Sequence, residues 1–115
     1  MSILKELEIL LSPILPVETG VFSDEAPDEY LVITPMIDDF IVYGDNVPLV
    51  ELSEVRISLY SKDNYLKRKN QITSALISAD FLITERRYIG REDDTGYHHY
   101  SIDAAKDYVM EDNYG

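Results

Sequence analysis

Glu54-Val55-Arg56-Ile57-Ser58-Leu59-Tyr60 is the stretch that decides the fold class. Val55, Ile57 and Leu59 alternate with Glu54, Arg56, Ser58 and Tyr60. That period of two marks a strand with one buried and one wetted face, as in an antiparallel sheet. The period then changes. Tyr65, Ile72, Leu76 and Ala79, with Ala75 beside them, line one face of a helix over 63–79. Asp63 is the expected N-cap, and Lys67, Arg68 and Asn70 fall on the expected solvent face.

Working outward toward the N-terminus, Tyr30-Leu31-Val32-Ile33-Thr34 reads as a strand closed by Pro35. Phe40-Ile41-Val42-Tyr43 reads as a second strand, ended by Gly44-Asp45-Asn46. Between Val17 and Glu29, the residues Thr19, Gly20, Ser23, Asp24, Pro27 and Asp28 predict a loop or short irregular strand. Residues 2–12 predict a helix: Ile3, Leu4, Leu7, Leu10 and Leu11 form one apolar stripe, Ser2 caps it, and Pro13 and Pro16 stop it. Toward the C-terminus, Phe81-Leu82-Ile83-Thr84 resumes strand character and extends toward Ile89. A polar turn over 90–96 follows, then a returning strand from Tyr97 to Ala104, and a frayed tail over 106–115 is expected. The order helix, three strands, helix, two strands predicts a single α+β domain over 1–115, with an antiparallel sheet of about five strands and one main helix packed on it.

The chain of 115 residues carries 22 acidic and 10 basic side chains, two histidines and no cysteine. Disulfides, thiolate catalysis and cysteine-based zinc sites are therefore excluded. A formal charge of −12 argues against sequence-independent nucleic-acid binding, which needs Lys and Arg to displace counterions. No apolar run approaches the ~20 residues of a membrane span. Met1 to Glu6 lacks a cationic stretch followed by an apolar one, so no secretion signal is expected and the protein is expected to be cytosolic. The charge is unevenly distributed: residues 1–55 carry a net of −11, residues 56–91 a net of +5, and residues 92–115 a net of −6. Either these segments neutralise one another within one fold, or unlike faces of different copies meet.

Catalytic patterns are sparse. His98 and His99 are adjacent on a predicted strand and should point to opposite faces, which disfavours joint chelation. With Asp93 and Asp94 they offer at most a weak divalent-ion site. Asp38-Asp39 and Glu92-Asp93-Asp94 fall in predicted turns, where carboxylates stay solvated and lack the raised pKa of a general acid. No phosphate-binding loop, nucleophile elbow or zinc-protease motif occurs. No cofactor is expected, and the chain is not expected to be an enzyme. The basic residues Lys62, Lys67, Arg68, Lys69, Arg86, Arg87 and Arg91 form the candidate assembly interface. Nine tyrosines without a tryptophan point the same way, since tyrosine is enriched at protein interfaces.

Several runs carry a resemblance. They are Leu15-Pro16-Val17-Glu18-Thr19-Gly20-Val21-Phe22, Tyr30 to Pro35, Val55 to Lys62, Arg87-Tyr88-Ile89-Gly90, and Asp93-Asp94-Thr95-Gly96-Tyr97-His98-His99-Tyr100. Together they resemble small proteins of the head–tail gene block of Gram-positive phages and prophages, and in size and element order the tail-terminator, or tail-completion, family of long non-contractile tails. The resemblance implies a non-enzymatic structural protein of the virion tail or neck, made in the host cytoplasm. It implies a ring homo-oligomer, a hexamer, capping the tail tube, with the major tail protein and a head-completion protein as partners. Neither a membrane nor a specific nucleic-acid sequence would be bound. Another head–tail connector, a minor capsid component, or a small acidic intracellular inhibitor that grips a basic partner remain the alternatives.

Overall fold

A computed structural model describes residues 2–18, 26–45 and 47–109. Helix α1 spans Ile3–Leu11. The Ser2 hydroxyl accepts from the Lys5 amide at 3.2 Å, filling one of the donor vacancies of the first turn. Ile3, Leu7 and Leu11 are buried along one face. Strand β1, Val17–Glu18, pairs parallel with the start of β2, Glu29–Gly44. Strand β3, Val47–Ser61, returns antiparallel to β2. Helix α2, Tyr65–Ser78, crosses to β4, Leu82–Arg91, and β5, His98–Val109, comes back between β4 and β3. The sheet order is β1-β2-β3-β5-β4, antiparallel except for β1. The fold is α+β, with both helices on one face of the sheet.

Alternation sets the core. Leu31 and Ile33 of β2, Val55, Ile57 and Leu59 of β3, and Ile102 and Ala104 of β5 point toward the helices. They pack against Leu7, Leu11, Ile72 and Leu76, all fully buried. Each such aliphatic side chain contributes roughly 1.5–3 kcal/mol by leaving water. The C-terminus of α2 closes with two reverse bonds, Asp80 N–H to Ile77 O at 3.1 Å and Phe81 N–H to Leu76 O at 3.0 Å. Asp80 takes the left-handed conformation this requires, with φ of 66°, where glycine is the usual occupant.

Five expectations need correction. The runs 30–34 and 40–43 are not two strands but parts of one, β2. Pro35 does not end it, because among the described residues β2 beyond Val32 is an edge strand, where a missing N–H is tolerated, and a bulge between Pro35 and Ile37 absorbs the irregularity. The strand count is preserved because Val17–Glu18 supplies another. Asn64, not Asp63, caps α2: its side chain accepts from the Lys67 amide at 3.1 Å, three residues on. Arg68 is not on the solvent face of α2; spaced four residues from Ile72, it turns inward. Finally, 106–109 is ordered strand within β5 and does not fray. Residues 110–115, like Thr19, Gly20, Ser23 and Asp24, lie outside the described residues.

The β2–β3 hairpin outgrows the rest of the fold. At about 3.3 Å per residue its strands run to about 50 Å, and the molecule measures 54 × 26 × 22 Å. Strand β4 stops at Leu82, opposite Ala105, whereas β5 follows β3 as far as Val50. Past the end of β4, the hairpin and β5 project together as a three-stranded arm, and only its last residues, Val47 to Leu49 of β3 with their β2 partners, run beyond β5. The arm carries exposed Met36, Ile37, Phe40 and Leu49. Between Met36 and Glu54 it holds Asp38, Asp39, Asp45, Glu51 and Glu54 and no basic residue.

Candidate functional site

The seven expected interface residues do not form one patch. Lys67 is exposed. The Arg68 guanidinium donates to Glu29, from Nε at 3.2 Å and from Nη2 at 3.1 Å, and Ser61 Oγ donates to the same carboxylate at 2.9 Å. Burial works to raise the Glu29 pKa, but these hydrogen bonds, with the charges of Arg68 and Lys67, outweigh it and hold the carboxyl below its usual range. Lys69 lies over the Tyr100 ring at 5.4 Å, and Lys62 over the Tyr97 ring at 4.8 Å. Arg86, Arg87 and Arg91 stand together on β4, an outer strand of the sheet. Arg87 reaches Glu85 at 3.7 Å and Arg91 reaches Asp93 at 3.5 Å, both exposed pairs of the weak kind. Arg86 has no such partner among the described residues.

Two polar hubs tie the sheet to itself and to α1. On the helix-free face, Arg56 and Asp103 form a two-pronged ion pair at 2.9 and 3.1 Å across β3 and β5. The hydrogen bond from Arg56 to Asp103, then their opposite charges, raise the Arg56 pKa. On the helix face, the Lys106 ammonium and the Tyr108 hydroxyl both donate to Glu6 of α1, and Lys106 also donates to the Ala79 carbonyl at 2.9 Å. Burial opposes ionisation of Glu6, yet these donors hold its carboxyl below the ordinary range, while burial and the Glu6 carboxylate push the Tyr108 phenol well up. Both clusters are structural: each acid already has its base.

The tyrosines are largely spent inside the fold. Tyr30, Tyr60 and His99 are cross-strand neighbours, with Tyr60 stacked on Tyr30 at 4.9 Å and on His99 at 4.4 Å. Tyr97 packs edge-on against Tyr30 and Tyr60, and its hydroxyl donates to the Pro27 carbonyl. On the other face Tyr65 packs against Tyr88, His98 and Tyr100. The two histidines thus face opposite ways, as their adjacency on a strand demands. Burial depresses the His99 pKa, against the charge of Glu92, and its Nε2 is buried with no hydrogen-bond partner among the described residues. Tyr114 and the Tyr43 side chain lie outside the described residues.

Among the described residues no three His, Asp or Glu side chains converge in a way able to hold a metal ion. A groove of about 430 Å³ opens between the N-terminal turn of α1 and the base of the arm, lined by Leu4, Asp38, Glu51, Ser53 and Tyr108 among others. Ser53 Oγ donates to Asp38 at 2.7 Å there, and no basic side chain among the described residues lines it. No helix among the described residues is long and apolar enough to cross a membrane.

What the sequence reading missed is the arm and the two outer edges of the sheet. The Gly44-Asp45 pair between apolar runs was the available signal, because a tight turn joins strands that pair with each other. No family model matches the chain, and no curated protein is significantly similar to it.

Proposed function

We propose that this chain is a non-enzymatic structural subunit of a phage or prophage tail or neck, acting as the tail terminator: a ring that caps the tail tube and docks it to the head. The observation that carries the reading is the distribution of surface chemistry. One margin of the sheet is an acidic arm with exposed apolar side chains, and the opposite margin is an arginine-bearing strand. A ring subunit needs two such non-identical, complementary faces, since a heterologous contact that closes makes a ring. The family resemblance supplies the tail context. Charge reversal at Lys67, Arg68 and Lys69 would disturb the fold itself, because Arg68 is bound to Glu29. The informative experiment is light scattering over a concentration series, beside electron microscopy of tails assembled with and without the protein. A ring at high concentration, and overlong or headless tails in its absence, support the reading. Tails of normal length that join heads without it refute the reading.

A second reading follows from residues 36–54 of the arm alone: five carboxylates and no base suit a small acidic inhibitor that grips a basic partner. That protein would stay monomeric and bind its partner one to one.

A further inference from the structure

We infer that two copies join edge to edge, the outer edge of β4 in one copy pairing antiparallel with the outer edge of β2 in the next, so that the five-stranded sheet continues between subunits. The inference rests on the self-assembly proposed above and specifies its joint. Among the described residues, strand β4 pairs only with β5, and from Ile33 to Asp39 strand β2 pairs only with β3. Among the described residues, each edge therefore presents unpaired outward N–H and C=O groups.

Three features select this pairing over others. The first is charge. Within β4 stand Arg86, Arg87 and Arg91 against Glu85 alone, while the β2 edge offers Asp38 and Asp39 with Glu51 behind them on β3. Two β4 edges would set arginines against arginines, and two β2 edges carboxylates against carboxylates. Only the unlike pair is complementary. The second is strand direction. β2 and β5 run one way, β3 and β4 the other. Copies placed side by side in the same orientation, as a ring requires, therefore bring β4 beside β2 antiparallel, the more stable arrangement. The third is side-chain parity. Arg86 lies opposite Ile102 and Asp38 opposite Ser53, both on the helix-covered face. Arg87 lies opposite Ser101 and Asp39 opposite Leu52, both on the other face. Continuing the sheet thus sets Arg86 on the same side as Asp38 of the next copy, and Arg87 on the same side as its Asp39. A closed ring of such joints leaves neither edge exposed.

Charge-swap complementation tests this. One variant carries Arg86→Glu and Arg87→Glu; the other carries Asp38→Lys and Asp39→Lys. Because Asp38 accepts from Ser53, Asp39→Lys alone provides a second version of the acidic-edge variant. Sedimentation and light scattering would follow each variant and their equimolar mixture, with circular dichroism checking the fold. The expected result is that the wild type associates, each variant alone needs about tenfold or more protein to reach the same degree of assembly, and the mixture regains the wild-type concentration dependence. Assembly of the variants equal to wild type, or a mixture no better than its components, overturns the edge pairing and leaves self-assembly standing. A wild type that remains a 13.2 kDa monomer up to millimolar concentration overturns self-assembly and the joint together.

Discussion

Replacing Arg68 with alanine should destabilise the domain by about 2 kcal/mol, although Arg68 belongs to a run of three cations on a surface helix. The Arg68 side chain is 27% exposed and that of Glu29 18%, so neither is fully in water. Arg68 donates to both oxygens of Glu29, and Glu29 also accepts from fully buried Ser61. A hydrogen bond to a charged group contributes about 1.5–3 kcal/mol, and orphaning one member of a fully buried pair costs about 3–5 kcal/mol. Residual solvent access at this pair brings the estimate to the lower part of that span. Lys67, one residue away and exposed, should cost less than ~0.5 kcal/mol when changed to alanine. Urea unfolding of the wild type, Arg68→Ala, Glu29→Gln and the double variant forms a double-mutant cycle, with an expected coupling of about 1–2 kcal/mol. The pair also has a pH signature. Its contribution is complete above the ordinary carboxyl value of 4.5 and is lost as pH falls through the depressed folded value of Glu29. Arg68→Ala should therefore flatten the acid limb of the stability profile. Equal costs for Arg68→Ala and Lys67→Ala, with no coupling to Glu29, would refute the reasoning.

Leu76→Ala should cost about 2–5 kcal/mol in denaturant unfolding, because Leu76 is fully buried where α2 meets the sheet. Asp80→Gly should stabilise by up to about 1 kcal/mol, since glycine accepts the left-handed φ of 66° without a Cβ penalty; a lower melting temperature would count against the assigned helix end. Because burial depresses the His99 pKa, the unfolded chain takes up that proton first as pH falls below about 6.5, so stability should decline through that window. His99→Phe, which keeps a ring against Tyr60, should remove that slope, as read from thermal melts between pH 7.5 and pH 5.

The local pattern was legible where burial is decided by near neighbours. Val55, Ile57 and Leu59 announced a half-buried strand, and Ile72 and Leu76 a buried helix face, because one side of each element meets the core at a fixed period. Ser2 was readable as a cap because its partner, the Lys5 amide, lies only three residues away. Pro35 misled because proline ends an interior strand but is tolerated on an edge, and edge position depends on what pairs alongside. The cationic helix run misled for a related reason: the partner of Arg68 is Glu29, 39 residues earlier, on a different element.

By itself the sequence determined the α+β class, the register of the main helix face, the opposite facing of His98 and His99, and the partition of charge along the chain. Periodicity and composition encode these, and neither needs knowledge of what is far away in the chain. Only the tertiary structure decided that β2 and β3 form one long hairpin, that β5 inserts between β3 and β4, and that an acidic edge and an arginine-bearing edge lie at opposite margins of one sheet. Strand order is fixed by pairings between residues tens of positions apart, whose closure no local period records.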